Sequence, residues 1–163
     1  MPRVTIFALL LVSLAACGGG ENTFEREGVS FTYPENWGEA EYEAVDPAAV
    51  FGTAFTPEEN SLTGLIFEIS RGDVTVTEKN VDDVLADVAG ALDPSTEGPS
   101  RLTVGGLPAI RFVSHPQDGL TRRVTFVFDG TTIYALNCAF TPERAEEMKR
   151  GCEQVVTSFA VEE

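Results

Sequence analysis

Acid–base chemistry near neutral pH leans on histidine, and this chain has one, His115. Ser114 precedes it directly. A serine nucleophile needs its base within hydrogen-bond reach, whereas neighbours on a strand project to opposite faces. The two are therefore not a Ser–His couple, and His115 reads as decoration on a hairpin loop. GxSxG, HExxH, Walker and GxGxxG patterns are all missing from the sequence, so no catalytic residue and no cofactor are expected. Glu39, Glu41 and Glu43 alternate with Ala40, Tyr42 and Ala44, which on a strand would put three carboxylates on one face. Such a row could contribute to a divalent-cation site with ligands from elsewhere. The plainer expectation is the wet side of an edge strand, and no metal site is expected. Cys138 and Cys152 have no CxxC partner and no nearby histidine, so they lack the company that a metal requires. Tyr33 and Trp37 are weak candidates for lining a ligand groove, since aromatics at a strand turn commonly belong to a core.

The N-terminus carries an address. Met1-Pro2-Arg3 brings one positive charge, and Val4 to Ala16 brings none, with Phe7, Leu9, Leu10, Leu11 and Leu14 in the run. A bilayer crossing takes about 20 apolar residues, so this stretch suits the h-region of a signal peptide instead. It ends Leu14-Ala15-Ala16-Cys17-Gly18, which resembles the lipobox of bacterial lipoproteins. The resemblance implies cleavage after Ala16, with lipid such as palmitate on Cys17 as the new N-terminal residue. The expected organisation is a signal peptide at 1–16, a lipidated flexible tether at 17–23 and one globular domain at 24–161. The expected location is the extracytoplasmic side of a cell membrane, held through the lipid. An exported chain meets an oxidising space, where a Cys138–Cys152 disulfide is the default.

All 26 acidic residues follow Cys17, and 10 of the 11 basic ones remain after cleavage, a net charge of −16. That surface is repelled by nucleic-acid phosphates and anionic headgroups, so nucleic acid is excluded as a partner. The partners left are the membrane, through Cys17, and an unknown envelope protein or small ligand.

The elements that would position these residues follow from periodicity. Val29, Phe31 and Tyr33 alternate with Ser30 and Thr32 up to Pro34, a half-buried strand. A second run starts at Trp37, and further strands are expected at Val50–Phe55 and Gly64–Ser70. Asn80 and Asp83 look like an N-cap and its box partner. Val81, Val84, Leu85, Val88 and Leu92 then fall at helical spacing, closed by Pro94. Strands return at Arg101–Val104 and Pro108–Ser114, joined by Gly105-Gly106. Leu120–Phe128 and Thr131–Phe140 follow, joined by the hairpin dipeptide Asp129-Gly130. Thr141-Pro142 opens a last helix with the stripe Ala145, Met148, Cys152, Val155, Val156 and Phe159. Antiparallel hairpins with two segregated helices make an α+β fold.

Within that layout, Gly28-Val29-Ser30-Phe31-Thr32-Tyr33-Pro34-Glu35-Asn36-Trp37 resembles the opening of PsbP-like domains. Gly106-Leu107-Pro108-Ala109 and Val155-Val156-Thr157-Ser158-Phe159 are similar too. Among bacterial lipoproteins the chain is similar to the LpqN and DcrB groups. The resemblance implies an antiparallel β-sheet flanked by helices, a PsbP-like α/β/α sandwich, and a non-enzymatic binding or accessory role in the cell envelope. The alternative is a small-ligand or lipid carrier with an apolar cavity between sheet and helices.

Overall fold

The computed structural model describes residues 20–44, 47–57, 63–92, 96–116 and 119–162. The expected leader, Cys17 and Pro94 lie outside them. The first hairpin joins β1 (Glu21–Arg26) to β2 (Val29–Pro34). Its turn residues Glu27 and Gly28 have φ of 55° and 73°, the left-handed pair whose twist matches that of antiparallel strands. The register runs from Glu21↔Pro34 to Arg26↔Val29, and the short β9 (Ala160–Val161) pairs on the far side of β2.

A larger antiparallel sheet has the order β3-β4-β5-β8-β7-β6. Its strands are β3 (Gly38–Ala40), β4 (Ala49–Thr56), β5 (Gly64–Val76), β6 (Glu97–Val104), β7 (Leu107–Ser114) and β8 (Thr121–Phe140). Twenty residues of straight strand would reach roughly 65 Å. Yet Leu120 and Arg122 line the same groove as Asn137 and Ala139, so β8 doubles back on itself. The bend falls at Asp129-Gly130, where Gly130 has φ 61°. One arm pairs with β7 from Arg122 to Val127, and the other pairs with β5 from Gly130 to Ala139. The sequence expectation of two strands joined there describes these two arms.

The sheet is covered on both faces. Against one lie the small sheet and α2 (Ala145–Ser158), entered through a 3-10 turn at Pro142–Arg144. This side holds the main core, in which Phe31, Phe55, Phe67, Phe159, Leu136 and Met148 are all fully buried. Burying each such side chain contributes about 1.5–3 kcal/mol. Phe24 stacks on Phe31 at 4.7 Å, and Phe55 and Phe67 meet Phe31 edge-on at 5.5 and 5.4 Å, geometries that aromatic quadrupoles favour. On the other face, α1 (Val81–Ala91) seals a smaller cluster of Val76, Val81, Ile110 and Phe128. The Cys138–Cys152 disulfide, with Cα atoms 6.1 Å apart, staples α2 to β8.

Three expectations need correction. β1 begins at Glu21, so the last three residues of the expected tether lie in a strand. Asn80 does not cap α1 with its side chain. Its Oδ1 instead accepts from the Thr77 amide and hydroxyl, while its Nδ2 donates to the Thr75 carbonyl, a local turn that competes with capping. The run after Trp37 stays in strand only to Ala40, so Glu41 and Glu43 do not continue the row begun by Glu39.

Candidate functional site

The sheet face under α1 is only partly covered by it. α1 packs over β6 and β7, and among the described residues no helix lies over the β3–β4–β5 side. There the register places Ala40 opposite Ala54, Ala54 opposite Ile66, and Ile66 opposite Asn137. Alongside runs a second row with Gly38 opposite Thr56 and Gly64 opposite Ala139. Small side chains at these crossings leave a low floor. Tyr42 rises at one side, its ring lying against the Gly52 position and its hydroxyl donating to Glu68 at 3.2 Å. Leu120 and Arg122 form the other wall. The result is a groove of about 930 Å³.

Gly64 is needed for the floor. A Cβ there would sit 2.6 Å from the Phe55 carbonyl oxygen, a contact that only a backbone shift relieves. Asn137 is part of the lining, and its Oδ1 is buried and accepts no hydrogen bond from the described residues. A buried acceptor without a donor carries a desolvation cost of about 1–3 kcal/mol. A donor delivered by a bound group recovers that cost once the Asn137 amide turns its oxygen out into the groove, since as it stands the oxygen is closed to solvent. The groove can therefore hold a surface or molecule that presents an N–H or O–H above small apolar neighbours.

The residues singled out from sequence are dispersed. Trp37 is 2% exposed and packs its ring on Gly151, with an edge on a recess of about 540 Å³ shared with Glu147 and Arg150. Tyr33 is half-buried and meets Phe55 at 4.6 Å between ring centres. Both lie across the sheet from the groove, on the α2 side. Glu39 projects to that side as well, where it pairs with Arg26 and accepts from Thr53 at 2.8 Å. The Arg26 hydrogen bond holds its carboxyl below the ordinary value, against a smaller opposing effect of burial and with help from Thr53. His115 is exposed; Nε2 meets Glu97 at 3.0 Å and Nδ1 meets Thr121 at 3.2 Å. It thus ties the β7–β8 loop to the start of β6. Cys17 lies outside the described residues.

The sequence reading missed the groove. Its floor is mostly alanine, glycine and asparagine around Ile66, residues that become neighbours only through long-range register. It also missed a cationic cluster on the α2 side. Arg111 and Arg123 both reach Glu153, at 3.2 and 3.5 Å, and Arg111 also bonds Thr125 at 3.1 Å.

Two solved structures share this architecture. The solution structure of cyanobacterial PsbP (CyanoP) from Synechocystis sp. PCC 6803 matches with a TM-score of 0.58 and 16% identity, covering 91% of this chain and 98% of that one. A crystal structure from Bacteroides thetaiotaomicron VPI-5482 matches with a TM-score of 0.58 and 11% identity over 89% of this chain, which spans 49% of that protein. At these identities the likeness concerns the fold. Among curated proteins, no relative matches the chain. The family model described as PsbP-like protein matches residues 20–161, from the first described residue to the end of β9, and so the chain belongs to the PsbP-like protein family.

Proposed function

We propose that this protein is an exported, membrane-tethered lipoprotein whose PsbP-like domain is a non-enzymatic binding module of the cell envelope. The groove on the open half of the sheet is where it holds its partner. The observation that carries the reading is the buried Asn137 Oδ1 in the lining of that groove, which no described residue satisfies. Folded domains leave few such acceptors, and one kept among small residues suits a bound group that donates to it. Family membership supports an accessory role, since the PsbP-like fold is generally a non-catalytic one. The Leu14-Ala15-Ala16-Cys17 pattern supports the anchor. The carrier reading has less support, because the space between the sheet and α2 is occupied by Phe31, Phe55, Phe67, Phe159 and Met148.

Crosslinking and pull-down from intact membranes, with lipids identified in the same sample, tests the module. Asn137→Leu keeps the side-chain size and removes the acceptor. It is expected to leave stability unchanged or raise it by up to about 1 kcal/mol, and to weaken partner capture at least tenfold. Capture at the wild-type level by a folded Asn137→Leu protein, and by an Ala54→Trp protein whose groove is filled, would falsify the groove assignment.

A further inference from the structure

The register defines two ends of the domain, and the chain leaves from one of them. Gly20 accepts a hydrogen bond from the Glu35 amide at 3.0 Å, and Glu21 pairs with Pro34. The turn that follows leads to Gly38, which pairs with Thr56, and Gly64 pairs with Ala139. Ser114 pairs with Arg122, and Asn36 lies 3.4 Å from Glu147 in the first turn of α2. All these positions share one pole. α2 runs away from it, since its other end hands over to β9, whose Val161 pairs with Val29. The opposite pole holds Glu27-Gly28, Gly105-Gly106, Asp129-Gly130 and Glu162, whose amide donates to the Gly28 carbonyl.

Two residues separate Gly20 from Cys17, and the three steps from one to the other span about 10 Å when extended. We propose that the domain stands on the bilayer by the first pole, so that Asn36, Leu120 and Glu143 face a lipid surface. The pole at Glu27-Gly28 and Asp129-Gly130 then points away from the membrane, and the groove, walled in part by Leu120, opens beside the bilayer. The proposal rests on lipidation of Cys17. It adds an orientation, which a freely pivoting domain would lack. Arg144, Lys149 and Arg150 on the early turns of α2 give this pole cations to set beside its carboxylates, so headgroup phosphates are not met by acid alone.

The test uses the chain from Cys17 onward. With Cys138 and Cys152 bonded to each other, Cys17 is the free thiol and couples to a maleimide lipid in phosphatidylcholine vesicles. A second lipid there carries a photoreactive headgroup, and crosslinked peptides are mapped by mass spectrometry. Crosslinks are expected in peptides holding Asn36, Leu120 and Glu143, at least fivefold above those holding Gly28, Gly106 or Asp129. An even spread, or excess at the far pole, overturns the orientation. Inserting about twenty Gly and Ser residues after Gly20 frees the domain to tumble and is expected to erase the bias; a bias that survives insertion overturns the short tether as the cause of the orientation. Separately, an unmodified Cys17 peptide from cell-derived protein would overturn the anchor and with it the orientation in the cell.

Discussion

Single atoms decide several features of this domain. Gly151 on α2 sits where a Cβ would lie 2.4 Å from the Trp37 ring and 2.9 Å from Pro34. Both neighbours are rigid, and Trp37 is buried, so neither can yield without moving the turn that starts β3. Overpacking of this kind typically costs 1–3 kcal/mol. Gly151→Ala is therefore expected to lower the midpoint of thermal unfolding by several degrees, and a wild-type melt would contradict the packing described. Glu39 offers a pH test. Its carboxyl is held below its ordinary value of 4.5, first by the hydrogen bond from Arg26. A depressed carboxylate pKa adds stability that is present above the unfolded value and lost as pH falls through the folded one. The group is well exposed, so solvent screens the pair and the effect is small. Arg26→Met should make stability less sensitive to acid below pH 4.5, read from urea midpoints at successive pH values; identical acid limbs in the two proteins would contradict it.

At the scale of elements, the disulfide is the clearest device. Cys138 is in the second arm of β8, and Cys152 is on the buried stripe of α2. The bond closes a loop of 14 residues, which in the entropic description restrains the unfolded chain by about 3 kcal/mol. Replacing both cysteines with alanine is expected to lower stability by about 2–5 kcal/mol while the folded fraction keeps its partner. Melts with and without reductant measure the loss, and two titratable thiols in the native protein would exclude the bond. Much at this scale was legible in the sequence. The stripe of α2, the Gly105-Gly106 turn and the bend at Asp129-Gly130 each join a periodic pattern to a special backbone residue. β1 was harder to see, because only Phe24 among its six residues is buried. Its strand character comes from pairing with β2, which local periodicity does not record. The Glu39–Glu43 run had the alternation of a strand but loses its partner, since β3 pairs with β4 no further than Ala40↔Ala54. The groove was illegible for the same physical reason, as Ala54, Ile66 and Asn137 are adjacent only across three strands.

At the scale of the whole molecule, charge and the proposed anchor oppose each other. After cleavage at Ala16 the chain would carry 26 acidic and 10 basic residues, and an anionic leaflet repels such a surface. The repulsion acts over a Debye length of about 8 Å at physiological salt, comparable to the tether's reach. No helix among the described residues is long and apolar enough to cross a membrane. On the lipoprotein reading, membrane retention comes from the lipid, in which each buried CH₂ contributes about 0.8 kcal/mol and two chains give stable anchoring. This separates lipid anchoring from electrostatic adhesion by its response to salt. The native protein should stay with membranes at high ionic strength, where an electrostatically bound protein would leave. Cys17→Ser should abolish labelling by a fatty-acid probe, and the protein should either appear in the soluble exported fraction or persist with its leader uncleaved. A Cys17→Ser protein that matures normally and still sediments with membranes would mean that the retaining surface lies in the domain itself.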